Sequence, residues 1–456
     1  RASDFDEVNL GYSEDDALAE AARCLQCRNA TCIEGCPVQI DIKSFIARIT
    51  AGDHRGGVEV IKQRNALPSV CGRVCPQETQ CEAACVLAKK GQPVAIGWLE
   101  RFLGDRDIAC DLEHRCLPEV GEDSGFRCAV VGSGPAGLAC AGELRRLGHG
   151  VTVFESLHAP GGVLSYGIPE FRLPARIVAA EVGMLEAAGV EIRCDSVVGA
   201  TYTLDDLRAE GFDAVFYGVG AGLPVFLGVP GENLNGVYSA NEFLTRVNLM
   251  RAHEFPHSDT PVWRGRRVVV VGGGNVAMDA ARTALRLGAE EVVLAYRRTE
   301  AEMPARVEEV EHAKQEGVRF ELLCSPVEVR GHDGWVTGFV AQRMELGEPD
   351  ESGRRAPVCV LGSDFEIECD TVIPAVGTRA HPLLKAAAPG VELTARGYVA
   401  ADEDGATSLP GVYAGGDIVT GAATVILAMG AGKKAARAMD DRLRSPDSAV
   451  ESGDVR

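Results

Sequence analysis

Residues 128 to 155 run CAVVGSGPAGLACAGELRRLGHGVTVFE, and they constrain the possible folds more than any other part of the chain. An apolar run, Cys128 to Val131, leads into Gly132, Gly134 and Gly137. A helical stretch follows, and a second apolar run, Val151 to Phe154, ends in Glu155. The spacing is G-x-G-x-x-G, set in the strand–turn–helix–strand order of a dinucleotide site. The first glycine permits the tight turn, the second lets backbone approach a pyrophosphate, and the third lets the helix lie close on the strand. The helix then turns its amide groups and positive dipole end toward the phosphates, beginning at Pro135 and Ala136. Glu155 stands where a carboxylate accepts from ribose hydroxyls. An ordinary glycine-rich turn would need neither the flanking strands nor the terminal acid, so the stretch reads as a nucleotide site.

The same grammar returns at Arg267. Its turn is Gly272-Gly273-Gly274-Asn275-Val276-Ala277, a G-x-G-x-x-A version, and its second strand ends in Arg297 and Arg298. A carboxylate there would accept from a free 2′-hydroxyl, whereas guanidinium groups pair with a 2′-phosphate. The expected ligand is NADP(H); the competing reading is a pair of solvated surface arginines. Two apolar strands, within 212–222 and 369–380, run out into Gly220 and Gly377. Residues 409–436 form a strand reaching Gly415-Gly416-Asp417 and a helix starting near Ala423. Residues 159–174, APGGVLSYGIPEFRLP, are too rich in Gly and Pro for a helix or central strand and read as an ordered functional loop around Gly162. EAEMPARVEEVEHAKQEGV reads as one amphipathic helix with a proline start.

There are 16 cysteines, and eight of them lie between Cys24 and Cys85. The first set, Cys24, Cys27, Cys32 and Cys36, is spaced C-x2-C-x4-C-x3-C-P. The second, Cys71, Cys75, Cys81 and Cys85, is spaced C-x3-C-P-x5-C-x3-C. Zinc sites favour paired C-x2-C units, and disulfide frameworks belong to small secreted domains. Unequal intervals with Cys-Pro in each set favour two cubane iron–sulfur clusters, with zinc the rival reading. The other eight cysteines are scattered and read as small apolar residues.

A chain of 456 residues holds two or three domains. A net charge of −20 argues against nucleic acid as a partner. No run of about 18 apolar residues indicates a membrane span, and no secretory signal is recognisable, so a cytoplasmic location is expected. The expected architecture is α/β: an α-helical double-cluster domain over residues 1–125, then two Rossmann-like domains. The first nucleotide domain is split over 126–262 and 375–456, and the second occupies 263–374 between its parts.

Taken together, CxxCxxxxCxxxCP, CGRVCPQETQCEAAC, GSGPAGL, YGIPEFRLP, GGGNVAMDAARTALRLGA, YRR and AGGDIVTGAATVILAMGAGK resemble one family over roughly Arg23 to Arg437. It is the small (beta) subunit family of NADPH-dependent glutamate synthase. It includes the large subunit of NADH-dependent ferredoxin–NADP oxidoreductase, the sulfide dehydrogenase alpha chain and the front half of dihydropyrimidine dehydrogenase. The resemblance implies FAD in the first nucleotide site and NADPH in the second. It assigns Ala136, Glu155, Gly162, Arg172, Gly416, Asp417, Ala423, Thr424 and Val425 to FAD, and Gly274 to Ala277, Arg297, Arg298 and Arg306 to NADPH. It further implies that Cys24, Cys27, Cys32 and Cys85 hold one [4Fe-4S] cluster, and Cys36, Cys71, Cys75 and Cys81 the other. Some relatives use Gln or Glu as one ligand, and Glu100 lies near that position. The implied reaction moves hydride between NADP(H) and FAD and single electrons through the clusters, with no catalytic acid or base. The partner would be a glutamate synthase large subunit. The alternative is a bifurcating transhydrogenase or sulfide dehydrogenase, with a small FAD/[2Fe-2S] subunit and ferredoxin.

Overall fold

The computed structural model describes residues 2–350 and 353–445. Two compact units emerge. One comprises Asn9–Ser165, Arg172–Ala221 and Ala380–Arg456; the other comprises Arg1–Val8, Tyr166–Phe171 and Gly222–Arg379.

In the first of these units the cysteine-rich segment is helical. Ser13 caps helix Glu14–Ala21 through a reciprocal capping box with Asp16. Asp41 and Asp53 cap helices Ile42–Thr50 and His54–Lys62, and Pro68 opens Pro68–Val74. Phe45, Ile46, Ile49, Ile61, Leu99 and Leu103 form the core of this helical part. The 14-residue helix Ile96–Ala109 is the longest helix in it.

The same unit carries a five-stranded parallel sheet in the order Val412–Ala414, Ala214–Tyr217, Arg127–Val131, Gly150–Phe154, Val190–Arg193. Four of these strands come from before residue 221 and the fifth from beyond residue 411, so the sheet is completed by chain from two distant segments. Helices Pro135–Arg146 and Val425–Arg444 pack against each other beside it. Their join is electrostatic as well as apolar. The Glu143 carboxylate, 2% exposed, receives Arg146 at 2.7 Å from its own helix. From the second helix it receives Arg437 at 2.9 Å and Lys433 at 3.1 Å.

The other unit holds a four-stranded parallel sheet, order Thr371–Pro374, Arg267–Val271, Glu291–Tyr296, Arg319–Leu322, and an antiparallel sheet of Cys324–His332, Trp335–Pro349 and Arg355–Glu368. Valines 268 to 271 are buried on both faces of the parallel sheet, as its continuous apolar run requires. Under the Rossmann helix Asn275–Arg286, Arg282 and Arg286 share Glu316 and Arg282 also meets Glu309, all deeply buried. Both guanidinium groups lie on the Phe171 ring, at 4.6 and 3.9 Å from its centroid.

Two local expectations differ from the structure. The stretch after Arg298 is not one helix. A 3-10 turn, Glu300–Glu302, is followed by extended Met303 before Pro304, and the helix runs only over Val307–Gln315. Proline disfavours helical backbone in the residue before it, which breaks the run. The Gly- and Pro-rich loop over 159–174 contains one helical turn, Val163–Tyr166.

Burial alone would raise the Glu143 pKa, but Arg146, Lys433 and Arg437 outweigh it and hold the carboxyl at about 2, below its usual 4.5. A lowered folded-state pKa contributes stability above the unfolded value, and that contribution is lost as pH falls toward the folded one. Glu143→Gln leaves Lys433 buried without its counter-charge and lowers stability by about 3 kcal/mol near neutral pH. The deficit shrinks between roughly pH 4.5 and 2, as thermal melts of both proteins across pH will show.

Candidate nucleotide and iron–sulfur sites

In the first nucleotide loop each glycine has its own steric reason. Gly132 has φ +97°, and a Cβ there would lie 2.7 Å from the Gly218 carbonyl oxygen. A Cβ on Gly137 would overlap the carbonyl oxygen of Gly132, so the helix can reach the strand only with glycine. Gly134 is the N-cap of Pro135–Arg146 and supplies no side-chain cap. Gly162 approaches it so closely that a Cβ would stand 2.7 Å from the Gly134 Cα. The Gly134 and Gly162 backbones therefore meet at the start of a helix whose first turn has no side-chain cap. Glu155, 4% exposed, ends the second strand. Its carboxylate accepts from the Ser133 amide at 2.9 Å, the Ser133 hydroxyl at 2.5 Å and the Leu157 amide at 2.8 Å. The Ser133 hydroxyl in turn accepts from the Gly161 amide at 2.9 Å. Ser133, absent from the sequence assignment, thus ties the acid to both glycine loops.

The distant segment enters the same neighbourhood. Gly416 has φ +77°, and a Cβ on it would come 2.9 Å from the Ala136 Cβ. A Cβ on Gly432 would overlap the Ala136 carbonyl oxygen. Asp417 accepts from the Ala423 amide at 3.2 Å, and burial raises its pKa. Thr424 caps the 20-residue helix that starts at Val425. Arg172 is buried at 9% exposure, and Gly220 takes φ +66° after the strand Ala214–Tyr217.

In the second nucleotide unit the Gly272 Cβ position is blocked by the Ala375 carbonyl and the Gly273 one by the Tyr296 ring. Gly274 caps Asn275–Arg286 without a side-chain acceptor. Asn275 accepts from the Arg306 amide at 2.9 Å, Val276 is exposed and Ala277 is fully buried. Gly377 follows the strand Thr371–Pro374 with φ +109° in open space. The two arginines expected at a 2′-phosphate are placed differently. Arg297 is exposed, whereas Arg298 is 3% exposed, pairs with Asp350 and donates to the Arg355 carbonyl at 2.7 Å. Arg306 is buried and pairs with Glu308 at 3.2 Å.

None of the eight N-terminal cysteines forms a disulfide, and they separate by depth. Cys24, Cys27, Cys32 and Cys85 are half-buried; Cys36, Cys71, Cys75 and Cys81 are buried. Burial raises the Cys24 pKa, with Cys27 and Cys85 adding to it. Burial also pushes Cys32 to about 11, with Cys85 and Cys24 adding. Cys36 is likewise pushed to about 11 by burial, with Glu100 and Cys75 nearby. Burial raises Cys81 too, with Glu82, Glu100, Cys36 and Cys75 adding to it. The mutual influence thus runs within two sets. Thiols that suppress one another's ionisation in this way give up protons when a cationic centre binds, which is the chemistry of a thiolate ligand set. Glu100 lies with the buried set, 6% exposed, receiving Asn65 Nδ2 at 2.6 Å, and burial lifts its pKa to about 8.

Residues 1–111 match the family described as dihydropyrimidine dehydrogenase domain II, 4Fe-4S cluster. Residues 126–437 match pyridine nucleotide-disulphide oxidoreductase. The glutamate synthase [NADPH] small chain of Escherichia coli (strain K12) is 40% identical over 96% of this chain and 93% of its own length. The chain belongs to this family. It is an NADP(H)-dependent flavin and iron–sulfur oxidoreductase, with FAD, NADP(H) and [4Fe-4S] clusters as its cofactors. Longer proteins share the same module. The NADP(+)-dependent formate dehydrogenase subunit beta of Moorella thermoacetica is 41% identical over 91% of this chain, which spans 60% of that protein. The NADPH-Fe(3+) oxidoreductase subunit beta of Geobacter sulfurreducens is 37% identical, and the chain spans 64% of it. In fold, Mycobacterium tuberculosis FprA, solved in complex with NADPH, superposes with a TM-score of 0.58 at 24% identity. The match covers 72% of this chain and 89% of that one. Among the described residues no helix is long and apolar enough to cross a membrane.

The geometry separates the two arginines by experiment. Arg298→Ala removes a buried guanidinium that pairs with Asp350 and lowers stability by about 1–3 kcal/mol. Arg297→Ala leaves the melting temperature unchanged, because its side chain is exposed. Thermal unfolding of both variants checks this.

Proposed function

We propose that this chain is the electron-input subunit of a larger assembly of the glutamate synthase type. It would take hydride from NADPH at its second nucleotide site and pass electrons singly through its cysteine sets to a second redox subunit in the cytoplasm. The observation that carries the reading is the gradient of burial. The buried cysteines adjoin the helix Val425–Arg444, through Cys71 and Met429 at 3.5 Å, while the half-buried ones open to the surface.

In this reading Gly132, Gly134, Pro135, Ala136, Gly137, Glu155, Gly162, Arg172, Gly220, Gly416 and Asp417 hold FAD. Glu155 fixes the glycine loop through Ser133, and the amides of Ala136 and Gly137 take the pyrophosphate. Asp417 shapes the turn through the Ala423 amide at the start of the long helix, and Ala423, Thr424 and Val425 there would hold the flavin ring. A helix start favours negative charge near it. When bound, the flavin accepts hydride and releases electrons one at a time. No side-chain acid or base is assigned a step. Gly272, Gly274, Asn275, Val276, Ala277 and Gly377 cradle NADP(H), with Arg306 beside them, and Arg297 meets the 2′-phosphate. Arg298 would support that loop from behind through Asp350. Cys24, Cys27, Cys32 and Cys85 hold the outer cluster. The inner cluster draws on Cys36, Cys71, Cys75 and Cys81, with Glu100 as a fifth candidate donor.

Purified without oxygen, the chain is expected to contain about eight iron and about eight labile sulfides and to reduce a dye with NADPH while forming no glutamate. Cys27→Ser loses the outer cluster and transfer to the partner subunit but keeps flavin-level dye reduction. Stoichiometric zinc without labile sulfide would refute the assignment. At the nucleotide site, Arg297→Ala raises the KM for NADPH about tenfold or more and that for NADH little, since one charge-assisted contact is worth roughly 1.5–3 kcal/mol. Equal effects on both would place the 2′-phosphate elsewhere.

A further inference from the structure

Cys71 is fully buried, and its Sγ lies 3.5 Å from Met429 Sδ and 3.7 Å from Asn65 Oδ1. Met429, also fully buried, sits one turn into Val425–Arg444, about 6 Å along the axis from the helix start. Its neighbour Gly430 lies close to the chain that follows Cys36. A Cβ at Gly430 would stand 3.5 Å from the Pro37 carbonyl oxygen and 3.8 Å from the Val38 side chain, immediately after Cys36. The helix therefore meets the inner cysteine set at Met429 and runs beside the Pro37–Val38 segment at Gly430. Asn65 holds the arrangement in place, accepting from the Leu67 amide at 2.9 Å and donating to Glu100 at 2.6 Å.

We propose that the Met429–Cys71 sulfur contact is the bridge by which single electrons cross from the flavin site to the inner cluster. The inference rests on the flavin and cluster assignments above. Thioether and thiol sulfurs are polarizable and fill gaps closely. At 3.5 Å they are in van der Waals contact, with no room for water between them. One electron of the pair that NADPH supplies as hydride crosses at a time, from the reduced flavin to the cluster, and the flavin N–H proton goes to solvent. Neither sulfur changes oxidation state and no bond to either forms or breaks. Met429 is thus a positioning residue.

The test is anaerobic stopped-flow of the full chain with NADPH, following flavin and cluster absorbance separately. FAD, iron and sulfide contents and cluster midpoint potentials are measured on the same samples. Met429→Ala is expected to leave flavin reduction and the midpoint potentials unchanged and to slow cluster reduction several-fold, with Met429→Leu slowed less. Wild-type cluster reduction in a fully loaded Met429→Ala protein overturns the bridge, and so does equal slowing of flavin reduction. Should the alanine variant fail to fold, Met429→Leu, of similar volume, carries the test: slowed cluster reduction supports the bridge and a wild-type rate overturns it. A wild-type protein without labile sulfide would instead refute the cluster assignment, so the two failures are distinguishable.

Discussion

Backbone meets backbone at two places in the flavin-type unit, and the rest of that unit depends on it. Gly137 presses against the Gly132 carbonyl and Gly432 against that of Ala136, each so tightly that a single Cβ would overlap the oxygen. The first contact seats the Rossmann helix on its strand. The second brings the long C-terminal helix onto the Rossmann helix, although almost 300 residues separate them in sequence. Because Ala136 lies between both contacts, the first turn of the Rossmann helix and the Gly416–Asp417 turn share one frame. Glu143, with its three cations, locks the same pair of helices further along.

Buried charge is used in two ways. Glu143 and Glu316 are surrounded by cations and held near pH 2, so their pairs add stability across the neutral range. Glu100 and Glu181 are deeply buried, and burial pushes both to about 8; at Glu181 the Ser69 amide, Lys62 and Arg73 oppose it without outweighing it. Both lie beside the inner cysteines: Glu100 through Asn65, and Glu181 through the Ser69 amide at 2.6 Å. The inner set is thus enclosed by protein from the helical part and from helix Ala175–Ala187, whereas the outer set is half-open.

Much of this was legible in the sequence because the relevant physics is local. Glycine spacing, an apolar run on either side and a terminal acid specify a strand–turn–helix–strand unit within about 30 residues. Cysteine intervals and Cys-Pro pairs specify cluster-type loops in the same way. What escaped depended on partners remote in sequence. The Arg297–Arg298 pair reads as two equal cations. Only the hairpin carrying Asp350, 52 residues on, buries one and leaves the other exposed. Met429 looks like one apolar residue in a helix, and its contact with Cys71 spans 358 positions. Met303 before Pro304 could have been read correctly, since proline's effect on its predecessor is a sequence-level rule.

The central claim is that electrons from NADPH reach iron–sulfur centres within this one chain. Anaerobic titration with NADPH, followed by low-temperature EPR, tests it most directly. The account predicts that flavin bleaching is accompanied by signals of reduced [4Fe-4S] clusters in the isolated chain. Complete flavin reduction with no cluster signal at any NADPH concentration, in protein carrying its full iron and sulfide, would contradict it.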